Sequence, residues 1–546
     1  MIPHVDRKLV DGGVVAGGRA IEINPGFSKA LGLMEDSGRN VLVTGKAGTG
    51  KSTLLEYFCN KTEKDAAVLA PTGVAAVNVN GRTIHSFFGF KPDVTLEKVR
   101  KIPAERARVF RELDAIVIDE VSMVRSDLLD CVDKFLRLNS GSPREPFGGK
   151  QMLFFGDLYQ LPPIVTAAES GAFKGVYASP FFFDSRSFCE AGAECVELEK
   201  VYRQKDAGFI NILNAIRNNT AGEGELAVLN SRLDPGFKPG KGDFCITLTT
   251  TNDLADSVNA AGLSELRGPI RSFNARVSGA FDKGHYPASL KLDLKKESQV
   301  MFLNNDSSGR WVNGTMGRVA GFQEAPGGPE EILVGLPDGG EVGVAPFKWS
   351  VFSFSFNPQA GRLESVPMGS FTQYPLRLAW AVTIHKSQGK TFDNVVVDVG
   401  RGTFVPGQLY VALSRCRTLD GIRLRKPLLK RHVYADWRVV KFATSLQYRR
   451  SELAMPLQSK RELVEKTISQ GGSLRITYLK ANDVKSQRVI TPLSVGRMFY
   501  EGKEFLGVKA FCHSRNEERT FRLDRVLAME AVEAGEARGA ANERAR

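Results

Sequence analysis

The stretch Val41–Thr53, VLVTGKAGTGKST, decides the fold of this chain. Its opening residues are apolar or β-branched and predict a buried strand, and the remainder matches the pattern G-x-x-x-x-G-K-[ST], which leads such a strand into a helix. Glycines let backbone N–H groups point inward around phosphate oxygens, and the following helix N-terminus adds partial positive charge. The stretch therefore predicts a phosphate-binding loop in a parallel α/β domain.

Each part of this loop has an expected task. We expect the loop backbone to hold ATP, Lys51 to reach the terminal phosphates and Ser52 to offer a hydroxyl to Mg²⁺. The residues expected to bind the nucleotide are Gly45, Lys46, Ala47, Gly48, Thr49, Gly50, Lys51, Ser52 and Thr53. A glycine-rich turn that matches by chance is the weaker interpretation, because a strand pattern precedes the loop and a helix pattern follows it.

Other short apolar runs place the loop in a sheet. Ala67–Ala70, Ala115–Ile118 and Met152–Phe155 are separated by helix-length segments. Parallel strands that are buried on both faces have this continuous apolar pattern. A second set, Cys245–Thr249 and Asn394–Asp398, predicts another α/β unit.

Polar residues follow two of these strands. Asp119 and Glu120 come directly after Ile118, which puts them at the carboxyl edge of the predicted sheet, where ligands bind. We predict that Asp119 holds Mg²⁺ and that Glu120 orients and deprotonates the attacking water. Gln160, in the stretch FGDLYQLPP, is expected to sense the γ-phosphate through its amide.

Size and charge narrow the class of protein. At 546 residues the chain is too long for one hydrophobic core, and its net charge of +13 favours a polyanionic partner. The seven cysteines form no C-x-x-C pair, which argues against a zinc module or a disulfide framework. The apolar runs are too short to cross a bilayer, so we expect no membrane partner and a cytoplasmic location in a bacterium.

An ordered series of motifs resembles the superfamily-one DNA helicases, and within them the Pif-one and RecD-like branch. The series, which runs from about residue 24 to 430, is GKAGTGKST, APTGVAAVNVNGRTIHSFF, IDEVSM, PFGGKQMLFFGDLYQLPP, LEKVYRQ, AVTIHKSQGKTFDNV and YVALSRC. The resemblance implies an ATP-dependent helicase that moves five-prime to three-prime in DNA repair, replication or recombination. Its implied partners are single-stranded DNA and junctions with single-stranded tails.

The resemblance also assigns roles near the nucleotide. Arg203 and Arg415 are expected to reach the γ-phosphate across the domain cleft from the second motor domain, where guanidinium charge stabilises developing negative charge. One feature departs from the family pattern: the segment Asn24–Leu31 lacks the Gln that reads adenine. Selectivity for the nucleotide base is therefore open.

A DNA track is implied by further matching residues. They are Pro71, Thr72, Gly73, Thr83, His85, Phe87, His385, Lys386, Ser387 and Gln388. Hydroxyls, amides and the lysine would hold phosphates, and Phe87 or His85 would stack on bases without choosing a sequence. Core packing competes as the interpretation of Phe87, because Phe88 and Phe90 lie beside it.

The C-terminal residues resemble a WYL domain, a small Sm-like β-barrel. The resemblance rests on Arg475–Tyr478, Phe505–Gly507 and Arg519–Arg525, although Glu504–Leu506 stands where the namesake Trp-Tyr-Leu is expected. It implies a nucleic-acid, protein or small-molecule ligand, for which Arg488, Arg519, Arg522 and Arg525 are the candidate residues. Strand alternation would put Arg519 and Arg525 on one face and Arg522 on the other.

The α/β fold class follows from the apolar runs, and the resemblance implies two RecA-like P-loop motor domains, an inserted Src-homology-like small β-barrel and the WYL barrel. The predicted segments are an N-terminal segment (1–23), the first motor domain (24–199), the second motor domain (200–271 and 371–430), the β-rich insertion (272–370), a linker helix (431–460), the WYL domain (461–530) and a tail (531–546).

Two other functions stay open at this point. One is a DNA-stimulated translocase or remodeller that unwinds poorly, and the other is a WYL-type regulator whose ATPase half only senses nucleotide. The presence of Glu120, Arg203 and Arg415 favours turnover over sensing. A strand-separating pin, which the sequence does not locate, would distinguish a helicase from a translocase.

Overall fold

Two units make up the structure, a computed structural model of the chain. The motor unit comprises residues 1–217 and 221–434, and the C-terminal unit comprises residues 218–220 and 435–546. The described residues are 15–16, 19–20, 22–91, 93–165, 173, 175–240, 242–279, 286–306, 308–324, 329–357, 362–480, 483–500 and 502–532, with side chains of 15–20, 74 and 351–368 left out. Most of the predicted N-terminal segment and tail lies outside them. No helix within these ranges is long and apolar enough to cross a membrane.

The first motor domain is built on a six-stranded parallel sheet. In spatial order the strands are Arg82–Thr83, Ala66–Ala70, Ala115–Ile118, Gln151–Gly156, Val41–Gly45 and Glu194–Leu198. The four predicted strands are confirmed, and Val41, Val117 and Leu153 are fully buried, as expected for a sheet covered on both faces.

Helices and short 3₁₀ turns cover this sheet. The helices are Pro25–Asp36, Lys51–Lys61, Gly73–Asn78, Ile84–Phe88, Ala104–Glu112, Ser126–Asn139 and Arg186–Ala191, and the 3₁₀ turns are Leu96–Lys98, Val121–Met123, Pro146–Gly149 and Phe182–Asp184. The first helix begins where Asn24 accepts a hydrogen bond from the Phe27 N–H at 3.0 Å, and Pro25 follows at the first helical position, where no N–H is needed.

The second motor domain has a four-stranded parallel sheet. Its strands are, in spatial order, Ala381–Thr383, Cys245–Thr249, Asn394–Asp398 and Ile422–Leu424. Its helices are Ala207–Arg217, Glu223–Asn230, Asn252–Glu265 and Gln408–Leu413, with 3₁₀ turns His385–Ser387 and Lys430–His432. Both strands predicted here have the expected bounds.

The insertion is antiparallel and β-rich, as predicted. One of its sheets pairs Arg271–Asn274 with Lys291–Leu294. A second sheet contains, in spatial order, Arg276–Gly279, Arg362–Gln373 and Phe347–Asn357. A third contains, in spatial order, Glu341–Val344, Glu331–Gly335, Met316–Gln323, Gln299–Phe302 and Leu376–Leu378. Phe302 stacks on Trp311 with 4.5 Å between ring centroids, at the centre of the core.

The C-terminal unit contains two helices and a five-stranded antiparallel sheet. The helices are Trp437–Ala454 and Leu457–Ser469, and the strands are, in spatial order, Glu517–Arg522, Lys503–Cys512, Lys485–Tyr500, Ser473–Leu479 and Val526–Val532. The prediction of one linker helix over 431–460 is wrong, because Pro456 has no N–H and its ring clashes with a continuing helix. The predicted tail also begins too early, since Ala531 pairs with Leu474 in the last strand.

The prediction that side chains alternate between two strand faces from Arg519 to Arg525 was also wrong. The strand ends at Arg522, and Leu523–Arg525 forms a 3₁₀ turn. Arg519 and Arg525 therefore do not share a strand face, because a 3₁₀ turn repeats every three residues instead of every two.

Candidate nucleotide and DNA site

The phosphate loop needs its glycines. Gly50 has φ +86°, and a Cβ there would lie 2.9 Å from Phe27 Cζ. Gly48 has φ +79°, and a Cβ there would lie 2.5 Å from Arg203 Cβ. Both positions combine left-handed backbone with close neighbours, so only glycine fits. These two glycines give the loop the left-handed backbone that the motif predicts.

Lys51 lies among three carboxylates at the first turn of the helix. Its Nζ donates to the carbonyl oxygens of Gly45 at 2.8 Å and Lys46 at 3.0 Å. Burial lowers the pKa of Lys51, and the charges of Asp157, Glu120 and Asp119 oppose that shift. The ammonium group is therefore the central positive charge of an acidic site.

Asp119 and Glu120 leave the sheet at its carboxyl edge, as predicted. Glu120 has φ +49°, a left-handed conformation that turns the chain sharply after the strand. Burial, together with the charge of the neighbouring Glu120 carboxylate, raises the pKa of Asp119 to about 7. Burial also raises the pKa of Glu120, which accepts a 2.8 Å hydrogen bond from Gln388 Nε2.

That contact corrects one prediction. Gln388 was expected on the DNA track, yet its amide lies on the catalytic carboxylate of Glu120. Its side chain is buried, at 7% exposure, and is directed to the nucleotide site instead of to a DNA contact. The 3₁₀ turn His385–Ser387 ends just before it and directs the chain back toward the first motor domain.

Two arginines face the carboxylates from the other side. Arg415 is 1% exposed, and its Nε donates to Val411 O and its Nη2 to Ser414 Oγ, each at 2.9 Å. Burial lowers the pKa of Arg415, while the Glu120 charge opposes the shift. Arg203 donates to Ser414 O at 3.1 Å, and burial together with Arg415 lowers its pKa to about 9.

Arg203 does not belong to the second parallel sheet. It lies on the segment that follows strand Glu194–Leu198, and the N–H of its neighbour Tyr202 donates to Gly48 O at 2.8 Å. The guanidinium is thus held between the phosphate loop and Ser414 of the second motor domain. Both predicted arginines meet at the nucleotide site, but they reach it from different parts of the chain.

A buried polar network at this cleft was not predicted. The Tyr410 hydroxyl accepts from the Ala47 N–H at 2.8 Å and donates to Asp157 Oδ2 at 3.0 Å. Arg217 Nε lies 3.6 Å from Asp157 Oδ1, and its guanidinium stacks 3.8 Å from the centroid of the Tyr159 ring. Asp157 and Tyr410 belong to motifs identified in the sequence, which is the signal that could have suggested them.

Two amide oxygens in the site have unused acceptor capacity. Gln160 donates through Nε2 to Asp157 Oδ2 at 3.3 Å, and Gln388 donates through Nε2 to Glu120. Their Oε1 atoms are buried and accept no hydrogen bond from the described residues. Buried acceptors without a donor are costly, so this pair suits a ligand or water that donates.

The predicted DNA residues divide into two groups. Pro71, Thr72, Gly73, His85, His385 and Lys386 are partly exposed, whereas Thr83, Phe87 and Ser387 are buried. Burial lowers the pKa of both His385 and Lys386. Thr72 and Thr83 cap helices by accepting from Ala75 N at 3.2 Å and Ser86 N at 3.1 Å.

For two residues of the buried group, Phe87 and Ser387, the structure corrects the predicted role in DNA binding. Phe87 is 8% exposed and packs edge-on against Phe88 and Phe110, so its ring is part of the core and is not available to stack on a base. Ser387 is fully buried and donates its hydroxyl to Ile384 O at 2.7 Å, so it cannot hold a DNA phosphate. Hydrophobic burial explains the first case and closure of the 3₁₀ turn explains the second.

The four candidate arginines of the C-terminal unit are mostly engaged within it. Arg488 is buried, with Nη1 3.7 Å from Cys512 Sγ, and Arg519 pairs with Glu517 at 3.1 Å. Arg522 pairs with Asp524 at 2.6 Å and lies 5.0 Å above the Phe505 ring centroid. Arg525 is partly exposed in the 3₁₀ turn. Three of the four therefore have contacts within the unit, and their role as ligand residues stays a prediction.

Family models match along most of the chain. A PIF1-like helicase model matches residues 27–223, a UvrD-like helicase C-terminal domain matches residues 378–419, and a WYL domain matches residues 461–531. Among solved structures, Bacteroides sp Pif1 in complex with ADP-AlF4 is similar with a TM-score of 0.70 at 36% identity, covering 78% of this chain and 97% of that one. Pif1 helicase from Candida albicans is similar with a TM-score of 0.63 at 30% identity, covering 78% and 100%.

Curated relatives agree with these matches. The ATP-dependent DNA helicase PIF1 of Homo sapiens is 35% identical over 430 residues, which are 76% of this chain and 62% of the human protein, so this chain spans less than two thirds of that relative. The ATP-dependent DNA helicase Pif1 of Bdellovibrio bacteriovorus is 33% identical over 414 residues, which are 74% of this chain and 88% of that protein. With a relative of this identity matched over most of its length, the chain belongs to the PIF1-like helicase family.

Proposed function

We propose that this chain is an ATP-dependent DNA helicase that moves along single-stranded DNA from five-prime to three-prime. The observation that carries the proposal is the convergence of Lys51, Glu120 and Arg415, which interact electrostatically from the phosphate loop, the first sheet and the second motor domain. A site shared in this way is complete only when the cleft is closed. Hydrolysis then alternates with opening, which supplies stepping along the strand.

The residues present fit ATP with Mg²⁺. The open loop can take the phosphates, and the exposed hydroxyl of Ser52 with the carboxylate of Asp119 would hold the cation. Within the described ranges, no three His, Cys, Asp or Glu side chains gather as a metal site of their own. When bound, the cation neutralises charge on the phosphates during transfer.

The chain's own groups can perform the hydrolysis. Glu120 takes one proton of the attacking water, while the Oε1 atom of Gln160 or of Gln388 accepts a hydrogen bond from its other hydrogen and orients it. Arg203 and Arg415 supply fixed positive charge where the γ-phosphate gains negative charge. The nearby carboxylate of Asp157 accepts a hydrogen bond from the Tyr410 hydroxyl.

DNA as the substrate is supported by relatives that were solved with it. Bacteroides Pif1 has been solved bound to single-stranded DNA, with a TM-score of 0.60 to this chain at 36% identity. We propose that the partly exposed residues near Thr72, His85, His385 and Lys386 form the corresponding contact here.

The domain limits predicted from the sequence remain our proposal, except that the linker helix and the tail have the corrected bounds. The location in a bacterial cytoplasm also stays a prediction.

Strand separation on tailed duplexes tests this function. With ATP and Mg²⁺, the protein should separate a duplex that carries a five-prime single-stranded tail and leave one with a three-prime tail paired, because stepping with one polarity loads only one tail. A fluorophore and quencher on the duplex report the separation. Equal rates on both tails would contradict the polarity, and ATP hydrolysis stimulated by DNA without separation would favour the translocase.

We further propose that the C-terminal unit makes a second single-stranded DNA contact through its long hairpin. Phe499 and Tyr500 are 75% and 67% exposed near the hairpin end, where Tyr500 pairs with Lys503 across the strands. Exposed aromatic rings beside cations favour base stacking next to phosphate binding. Arg497, on the same hairpin, has a side chain that is 80% exposed and lies 3.5 Å from the Glu504 carboxylate.

Removing both rings tests the hairpin. The double change Phe499→Ala with Tyr500→Ala should weaken binding of a labelled oligonucleotide by at least roughly thirtyfold, since each stacked base contributes about 1–3 kcal/mol and two rings are removed. The slope of log affinity against log salt should stay unchanged, because no phosphate contact is lost. Leu453→Ala, at an exposed apolar residue of the same unit, is the control. Unchanged affinity in the double variant would favour a protein or small-molecule ligand instead.

A further inference from the structure

A buried lysine joins three parts of the motor unit. Lys390, in the second motor domain, is 6% exposed, and its Nζ donates to Asn313 Oδ1 of the insertion. Asn313 in turn donates through Nδ2 to Asn78 Oδ1 at 2.7 Å. Asn78 ends the helix Gly73–Asn78, which begins beside the proposed DNA residues of the first motor domain. We call these three residues the Lys390 junction.

The backbone is tightly packed around this junction. Gly314 has φ +96°, and a Cβ there would lie 3.3 Å from Lys390 Cγ. Gly389 has φ +78°, and a Cβ there would lie 3.1 Å from Asn78 Nδ2. The Asn313 N–H is also held, by Asn305 Oδ1 at 2.8 Å. The junction is therefore a defined contact and not a chance approach of side chains.

Its chemistry is unusual for a purely structural contact. Burial, together with the charge of Arg377, lowers the pKa of Lys390 to about 7. Within the described part of the chain, the ammonium has an amide oxygen and no carboxylate as its hydrogen-bond acceptor. Burying a cation in this way costs free energy that an apolar residue would not. Such a cost is consistent with a functional role.

The same short segment reaches the nucleotide site. Gln388, two residues before Lys390, donates to Glu120, and Lys390 O accepts from Arg415 Nη1 at 3.4 Å. A shift of the Lys390 side chain thus moves a segment that touches both a catalytic carboxylate and a catalytic arginine. We infer that the Lys390 junction positions Gln388 and Arg415 in response to DNA at helix Gly73–Asn78 and to the insertion, so that DNA binding stimulates hydrolysis. This inference rests on the proposed function.

Variants at the junction should separate stimulated from basal hydrolysis. Lys390→Met removes the ammonium group but keeps most of the unbranched side chain, and Asn313→Ala removes its acceptor. Each should lower the DNA-stimulated kcat by roughly tenfold, as losing a hydrogen bond to a charged group does. Basal kcat without DNA and KM for ATP should stay within about twofold of the parent. The double variant should be no worse than the singles, because both break one contact. Lys390→Arg should restore part of the stimulation.

The controls make each outcome decisive. Lys296→Met removes an exposed lysine of the insertion and should behave as the parent. The inference is overturned if the junction variants keep full stimulation, or if basal and stimulated rates fall together with a lower melting temperature. A parent protein that hydrolyses ATP at the same rate with and without DNA would overturn the inference and the proposed function together. If the parent protein unwinds DNA normally and the junction variants hydrolyse ATP at the parent's rate, only the inference is overturned and the proposed function stands.

Discussion

Glu120→Gln is expected to lower kcat for ATP hydrolysis by roughly a hundred- to ten-thousand-fold, the usual contribution of general base catalysis. The glutamine amide has the same shape, and its carbonyl oxygen can keep the hydrogen bond from Gln388 Nε2. It cannot accept a proton from water. Nucleotide affinity should be largely unchanged, because the phosphate loop and Lys51 are intact. Steady-state hydrolysis and titration with a fluorescent ATP analogue measure the two effects separately.

Lys51→Ala provides the matched comparison. It removes the ammonium group that lies among Asp119, Glu120 and Asp157, so it should weaken both nucleotide binding and turnover. The split between the two variants identifies Glu120 as the base and Lys51 as the phosphate ligand. Parent-like turnover in Glu120→Gln, with the protein folded, would show that another group activates the water.

Loss of either cleft arginine should lower DNA-stimulated hydrolysis by roughly a thousandfold, as for other arginines that act across a cleft in phosphoryl transfer. Arg203→Ala removes a guanidinium whose described contact is with Ser414 O, so the fold should survive. Arg415 is fully buried, and Arg415→Lys is the better test because it keeps the charge and much of the volume but loses the fork of donors. Rates are measured at saturating DNA and ATP.

A neighbouring arginine controls for general charge effects. Arg417 has a side chain that is 57% exposed and pairs with Asp393 at 3.3 Å, so Arg417→Ala should change the rate by less than about threefold, since exposed pairs contribute little. Melting temperatures of all variants establish that they are folded. If Arg203→Ala or Arg415→Lys stays within a few-fold of the parent, that residue does not stabilise the transition state.

The sequence by itself determined the motor architecture and the centre of the nucleotide site. Ala115–Ile118, Cys245–Thr249 and Asn394–Asp398 were predicted with the bounds that the structure has, because strands buried on both faces are written as continuous apolar runs. The positions of Lys51 and Glu120 could also be predicted from the sequence. Their positions follow from a loop and a strand end, which are local features whose geometry depends on a few neighbouring residues.

Only the tertiary structure decided which distant side chains complete that site. Gln388 reaches Glu120 across 268 residues of sequence and Tyr410 reaches Asp157 across 253, and no local pattern distinguishes them from DNA contacts or core residues. Phe87 was predicted to stack on a base but is buried in the core, because the local sequence does not distinguish an aromatic ring that packs in the core from one that stacks on a ligand. The physical reason is that period and propensity report the local backbone, whereas burial and hydrogen-bond partners depend on how separate elements pack.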